Sequence, residues 1–195
     1  LALVHPTGQP LYVLLGHLWT AILPLRSAAY EMNLLAAVST AGGGALLAYF
    51  VARVWGNALV GALAGLVLGF GATVWGQAVI ADKYGFNVLL AAWIIGLALW
   101  WERDHDQPHG DRLLFALSAA FGIGLLHHRS LALFGAGIAL MVLYHLRAGI
   151  WRQWRRTLVC LGLVFIPALL VYPTVLPWLE SRELTPLLWQ PDSPG

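Results

Sequence analysis

Three short polar stretches carry the chemistry that this chain could perform. His127, His128 and Arg129 are consecutive. A planar guanidinium presents several donors to a phosphate, and an adjacent imidazole adds another or moves a proton. The plainer reading is a turn whose arginine reaches lipid headgroups. Asp82, Lys83, Tyr84 and Asn87 bring an acid, a cation, a phenol and an amide together. Such a set can orient a hydroxylated ligand; as a solvated hairpin, its ion pair would contribute little. In His5-Pro6-Thr7-Gly8-Gln9-Pro10-Leu11-Tyr12, two prolines and a glycine fix a turn from which His5, Gln9 and Tyr12 can hydrogen-bond.

A fourth polar group, Glu102, Asp104, His105, Asp106, His109 and Asp111, has the residue types of a metal site. Pro108 and Gly110 make the segment irregular, and its spacings match no zinc or calcium pattern, so it reads as a hydrophilic connector and no metal is expected. The single cysteine, Cys160, lies in an apolar run and has no partner for an internal disulfide or a zinc pair. His145 reads as interfacial and Cys160 as core. Basic residues are scattered singly except near Arg147, Arg152, Arg155 and Arg156, which is no nucleic-acid footprint. Phosphate-binding loops, dinucleotide glycine patterns and serine nucleophile elbows are absent.

The elements that must position these groups follow from where charge is missing. Only 10% of the 195 residues are charged and 59% are hydrophobic, against about 25% charged in soluble domains, so lipid is the solvent over most of the surface. Charge-free runs cover residues 1–25, 32–52, 54–81, 84–101, 113–128, 130–146 and 157–179. All but the first hold a helix near the ~20 residues that cross ~30 Å of hydrocarbon. The first is broken by Pro6, Gly8, Pro10 and Pro24, leaving a short interfacial helix over residues 11–23.

The expected fold is therefore all-α: a polytopic transmembrane bundle of about six spanning helices plus a short N-terminal interfacial helix, one membrane domain over residues 1–195. Gly61, Gly65 and Gly69, and the glycines between Ala41 and Ala45, let neighbouring helices approach. Trp55, Trp75, Trp100, Trp101, Trp151, Trp154 and Trp178 fall near run ends as an aromatic belt.

Six crossings place Arg53, Arg103, Arg112, Arg147, Arg152, Arg155 and Arg156 on one face and Arg26, Lys83, Arg129 and Arg182 on the other. The positive-inside rule puts the first face in the cytoplasm and all three polar stretches outside. Leu1 then also lies outside, which, with no initiating Met, reads as a fragment lacking an upstream helix and the first external loop.

The ordered stretches residues 5–12, Met32-Asn33-Leu34-Leu35-Ala36, Trp75-Gly76-Gln77-Ala78-Val79-Ile80-Ala81-Asp82-Lys83-Tyr84, Asn87, and residues 124–129 resemble the motifs of an uncharacterised multipass family. That family is related to protein O-mannosyltransferases and other GT-C-type glycosyltransferases, and the resemblance runs from His5 to about Trp189. It implies a GT-C-like integral membrane enzyme, of a bacterial inner membrane, that takes a sugar from a polyprenyl phosphate on the outer face and gives it to an acceptor. The resemblance also implies an essential acid in the first external loop, ahead of the His-Pro turn, so that this piece alone is inactive.

Arg129, with His128 and Lys83, would stabilise the departing phosphate. Asp82 is the weak candidate for acid/base work, with Tyr84 and Asn87 shaping the site and His5, Gln9, Tyr12 and His127 on the substrate side. The expected partners are membrane lipids and the lipid-linked sugar; no cofactor is expected. The chain departs from the family pattern at Gln9, usually tyrosine, at Glu31, usually basic, and at the His127-His128 pair, often Asn-His. The alternative is a non-catalytic lipid-binding or transport protein, for which charged or broken helices at the membrane midplane would be the signature.

Overall fold

A computed structural model of the chain describes residues 10–25, 27–147 and 149–180, the side chains of residues 150 and 176–180 excepted. His5, Gln9 and the chain beyond residue 180 lie outside the described residues, as does the Trp178 side chain. All regular structure among the described residues is helical: α1 (Pro10–Ile22), α2 (Ala28–Trp55), α3 (Ala58–Gly69), α4 (Ala72–Ala78), α5 (Tyr84–Asp104), α6 (Gly110–His127), a 3-10 turn at Arg129–Ala132, α7 (Leu133–Leu146), α8 (Gly149–Arg152) and α9 (Trp154–Glu180).

Local chemistry sets several boundaries. Ser27 caps α2 by accepting the Tyr30 N–H, and Gly56 ends it in the left-handed region at φ 69°, where a side chain would be strained. Asn57 restarts the chain at once, its Oδ1 accepting from Leu59 and Val60 at 3.0 and 3.1 Å. Helices α2 and α3 thus form a hairpin packed through small residues: a Cβ at Gly65 would lie 2.6 Å from the Gly44 carbonyl oxygen. Gly69 does not join that seam, since nothing lies within 4 Å of a Cβ there.

The count of spans differs from six uninterrupted helices. Four segments are long and apolar enough to cross a membrane: Ala28–Trp55, Tyr84–Asp104, Arg129–Leu146 and Trp154–Val175. The pair α3 and α4, bent by 65° where Gly69, Phe70 and Gly71 interrupt the run, makes a fifth if the two helices count as one span. Helix α6, expected as a sixth, carries Asp111 and Arg112 in its first turn and is not among them. It nevertheless runs antiparallel to α5 from end to end, because His109 meets Asp104 at one end and His127 meets Lys83 at the other. Ten of its 18 residues are buried, so neighbouring helices cover it and it needs less lipophilicity than a lipid-facing span.

The core lies between α5 and α6, where Ile94, Leu97, Trp101, Leu117 and Ala120 pack with Phe50 of α2 and Leu131 of the 3-10 turn. Trp101, expected in the aromatic belt, is instead 1% exposed, whereas Trp55, Trp75, Trp151 and Trp154 are exposed as a belt requires.

The two ends of the bundle are chemically distinct. At one, Asp104 gathers the Trp100 Nε1–H at 2.9 Å, His109 and Arg53, while Arg103 donates to the last-turn carbonyls of Arg53 and Val54. Arg156 pairs there with Asp111, and the His145 ring lies 4.1 Å from that of His105. The segment expected to be a plain connector therefore staples α2, α5, α6, α7 and α9 together. Asp104, His105, His109 and Asp111 all take part in these contacts, and among the described residues no group of three or more is arranged to hold a metal.

Candidate functional site

The other end collects the remaining polar stretches. Helix α1 lies across it: the Tyr12 ring is 6.0 Å from that of His127, and the Trp19 Nε1–H donates to the Glu31 carbonyl at 2.9 Å. Glu31 itself is buried, and its carboxylate accepts the Leu25 N–H at 2.8 Å. At this position, one of the chain's departures from the family pattern, the acid ties the α1–α2 connection to the start of α2.

Residues 79–83 form an irregular link between α4 and α5 rather than a helical turn. The Asp82 carboxylate accepts the Lys83 N–H at 2.6 Å and lies 3.7 Å from the Lys83 ammonium, which sits 5.1 Å from the centre of the Tyr84 ring. Asp82 is 38% exposed and Lys83 20%, so the pair is at a boundary and not in the core.

His127 is the buried centre of the site, at 1% exposed, with the Phe86 ring edge-on at 4.9 Å. Its Nε2–H donates to the Lys83 carbonyl at 3.1 Å, which also accepts the Asn87 N–H at 3.0 Å. A carbonyl only accepts, so Nε2 carries the proton and Nδ1 is left as an acceptor in the neutral ring. That Nδ1, the Asn87 Oδ1 and the Tyr12 hydroxyl are all buried without a hydrogen-bond partner among the described residues. Unpaired buried polar atoms are costly and uncommon, and here two acceptors and a phenol occur around one imidazole.

His128 has the opposite proton arrangement. Its Nδ1 accepts the Ser130 N–H at 3.1 Å and lies 2.7 Å from the Ser130 hydroxyl, which caps the 3-10 turn and places the proton of the neutral ring on Nε2. The Asn87 Nδ2 in turn reaches the Ser130 Oγ at 3.5 Å. Burial first, and then the positive charges of Lys83 and Arg129, hold the His128 imidazole below its ordinary value, with Asp82 acting the other way. Burial, reinforced by Asp82, pushes the Tyr12 phenol up to about 12. Arg129 is exposed and makes no hydrogen bond or ion pair with any described residue.

Of the residues singled out from sequence, Tyr12, Asp82, Lys83, Tyr84, Asn87, His127, His128 and Arg129 are brought to one end of the bundle. Ser130 was missed. A serine directly after His128 and Arg129, at the start of an apolar run, has the sequence signature of a helix-entry residue and could have been found as one. Phe86 was missed because an aromatic in an apolar run gives no polar signal.

Four apolar helices long enough to cross a membrane, two of them with almost no buried residue, make this a polytopic integral membrane protein. The chain belongs to the family described as the protein O-mannosyl-transferase TMEM260 N-terminal domain, whose model matches residues 1–152. It is 27% identical over 146 residues to the protein O-mannosyl-transferase TMEM260 of Mus musculus. The alignment covers 75% of this chain and 21% of that protein, so the chain spans about a fifth of its relative's length. No solved structure matches it. The chain is thus a glycosyltransferase-related membrane protein.

Proposed function

We propose that this chain forms the donor-binding part of a membrane glycosyltransferase that moves a sugar, mannose in the activity named for the mouse relative, from a polyprenyl phosphate to an acceptor on the outer face. The observation that best supports this reading is the meeting, at one end of the bundle, of an exposed Arg129 with buried polar atoms on Tyr12, Asn87 and His127, none of them paired among the described residues. Departure of a lipid phosphate needs positive charge and donors where negative charge develops. Arg129, Lys83 and the Nε2–H of His128 supply them. The Asn87 Oδ1 and His127 Nδ1 are acceptors suited to sugar hydroxyls.

Neither described carboxylate at this end is uncommitted. Glu31 holds the Leu25 N–H, and Asp82 holds Lys83 through both its backbone and its ammonium. In this reading Asp82 positions Lys83, and the acid/base that activates the acceptor comes from the first external loop that the family resemblance implies.

The 65° break between α3 and α4 is a feature that transporters share. Here it is lined by Phe70 stacked on Trp75 at 5.6 Å and carries no charged group, which favours the enzyme reading over transport.

The test is mannose transfer by the full-length protein in proteoliposomes, from a polyprenyl-phosphate mannose donor. Arg129→Ala should lower kcat/KM by about 100-fold or more, the scale of losing one donor to a developing anion, with melting unchanged. Full transfer by a well-folded Arg129→Ala protein would remove the phosphate role. An intact protein that binds the donor without transferring sugar would establish the lipid-binding alternative.

A further inference from the structure

A cleft runs between α6, α7 and α9, with its mouth at the opposite end from the site above. It encloses about 420 Å³, within the range of ligand-sized pockets, and its walls are mainly apolar, with Leu117, Phe121, Ile138, Val142, Leu161 and Phe165 among them, while the Ser118 hydroxyl donates to the Leu114 carbonyl. No residue of α7 is buried, so that helix stands off from α6 and α9 and leaves the cleft open along its side.

Arg156 lies at the mouth. Its Nη1 donates to the Asp111 carboxylate at 2.7 Å, but its Nε is buried with no hydrogen-bond partner. A guanidinium N–H taken out of water without an acceptor is a cost that an incoming anion would relieve. Arg152 and Arg155 are exposed on the same end, whereas the nearest acid, Asp111, is already engaged. The mouth therefore carries net positive charge above an apolar slot.

The slot follows α9 from Arg156 to Phe165, a rise of about 13 Å at 1.5 Å per residue. Near its inner end the Phe121 ring stands against Gly135, where a Cβ would come within 2.9 Å of the ring. A volume of about 420 Å³ spread along that rise leaves too little cross-section for a further α-helix, about 10 Å across, but enough for an extended acyl chain. We propose that this cleft binds one anionic phospholipid, its phosphate at the Arg156 guanidinium and one acyl chain between α6, α7 and α9. The lipid braces α7, which the protein alone leaves without a buried residue. This site is independent of the glycosyltransferase reading.

The experiment is native mass spectrometry of the delipidated full-length protein, titrated with phosphatidylglycerol or with phosphatidylcholine of the same chains. The first equivalent of phosphatidylglycerol should bind roughly fivefold more tightly than phosphatidylcholine, the scale of one basic side chain at an anionic surface. Ala139→Trp, which fills the slot, should abolish that equivalent for both lipids, and Arg156→Gln should bring the two lipids to parity. Asp111→Asn, which frees the guanidinium, should strengthen the preference and serves if Arg156→Gln does not fold. Equal binding of both lipids by the unmodified protein, or an undiminished first equivalent in Ala139→Trp, overturns the proposal. So does a slot already occupied by the rest of the polypeptide, seen as no lipid uptake at all.

Discussion

The His127 Nε2–H donates to the main-chain carbonyl of Lys83 across 44 residues of sequence, and this bond joins the end of α6 to the start of α5. Because the same carbonyl accepts the Asn87 N–H, it stays satisfied when the imidazole is removed. His127→Phe should therefore cost only about 1 kcal/mol, the net worth of one hydrogen bond. His127→Ala, which empties a fully buried ring site, should cost about 3 kcal/mol or more. Thermal unfolding in detergent measures both.

Tyr12→Phe should leave the unliganded protein as stable as before or more so, by up to about 1 kcal/mol, because it deletes a buried hydroxyl that has no partner. The same change should weaken binding of a polyprenyl-phosphate sugar. It should also remove a phenol that ionises near pH 12 from an alkaline absorbance titration, since Tyr12 is pushed up to about 12.

Stability should fall as the medium becomes acidic, through His128. Its imidazole is held below the ordinary value in the folded chain, so the unfolded state takes up the proton first. The contribution of His128 is complete above the unfolded value of about 6.5 and is lost as pH falls through the lower folded value. The structural cause is direct: a protonated Nδ1 can no longer accept the Ser130 N–H. His128→Asn keeps a capping acceptor without the titration, and its melting temperature should vary less between pH 8 and pH 5. An unchanged pH profile in that variant would exclude His128 as the source.

Gly65→Leu should destabilise the α2–α3 hairpin by about 3 kcal/mol, since the new side chain meets the Gly44 backbone, which cannot yield. Gly69→Ala, four residues on, should be neutral or stabilising by up to about 1 kcal/mol through helix propensity, because the space beside it is empty.

Arg129→Lys should restore part of the transfer lost in Arg129→Ala, because an ammonium keeps the charge but not the planar fork. Arg152→Ala, at the opposite end, should leave transfer unchanged. Arg103→Ala is a poor control, since Arg103 holds the carbonyl end of α2 and its loss should lower the melting temperature.

What the sequence determined by itself is whatever depends on the solvent. Runs without charge exist because lipid does not tolerate ions, so the helical class, the grouping of polar residues on two faces and the kinship with O-mannosyltransferases were all legible from residues 5–129. Tertiary structure decided whatever depends on who covers whom. Helix α6 could keep Asp111 and Arg112 because its first turn emerges, exposed, at the polar end of the bundle, and Trp101 left the expected belt because α6 packs over it. The glycines and Phe70 at the turn of α3 broke an apolar run that reads as continuous.

At the site, sequence supplied the residue types but not their partners. Nothing in the chain order says that Lys83 offers its carbonyl to His127, or that Ser130 sets the proton on His128. Those bonds arise only where helices that are distant in sequence end at the same level of the bundle, and they determine which polar atoms remain unpaired.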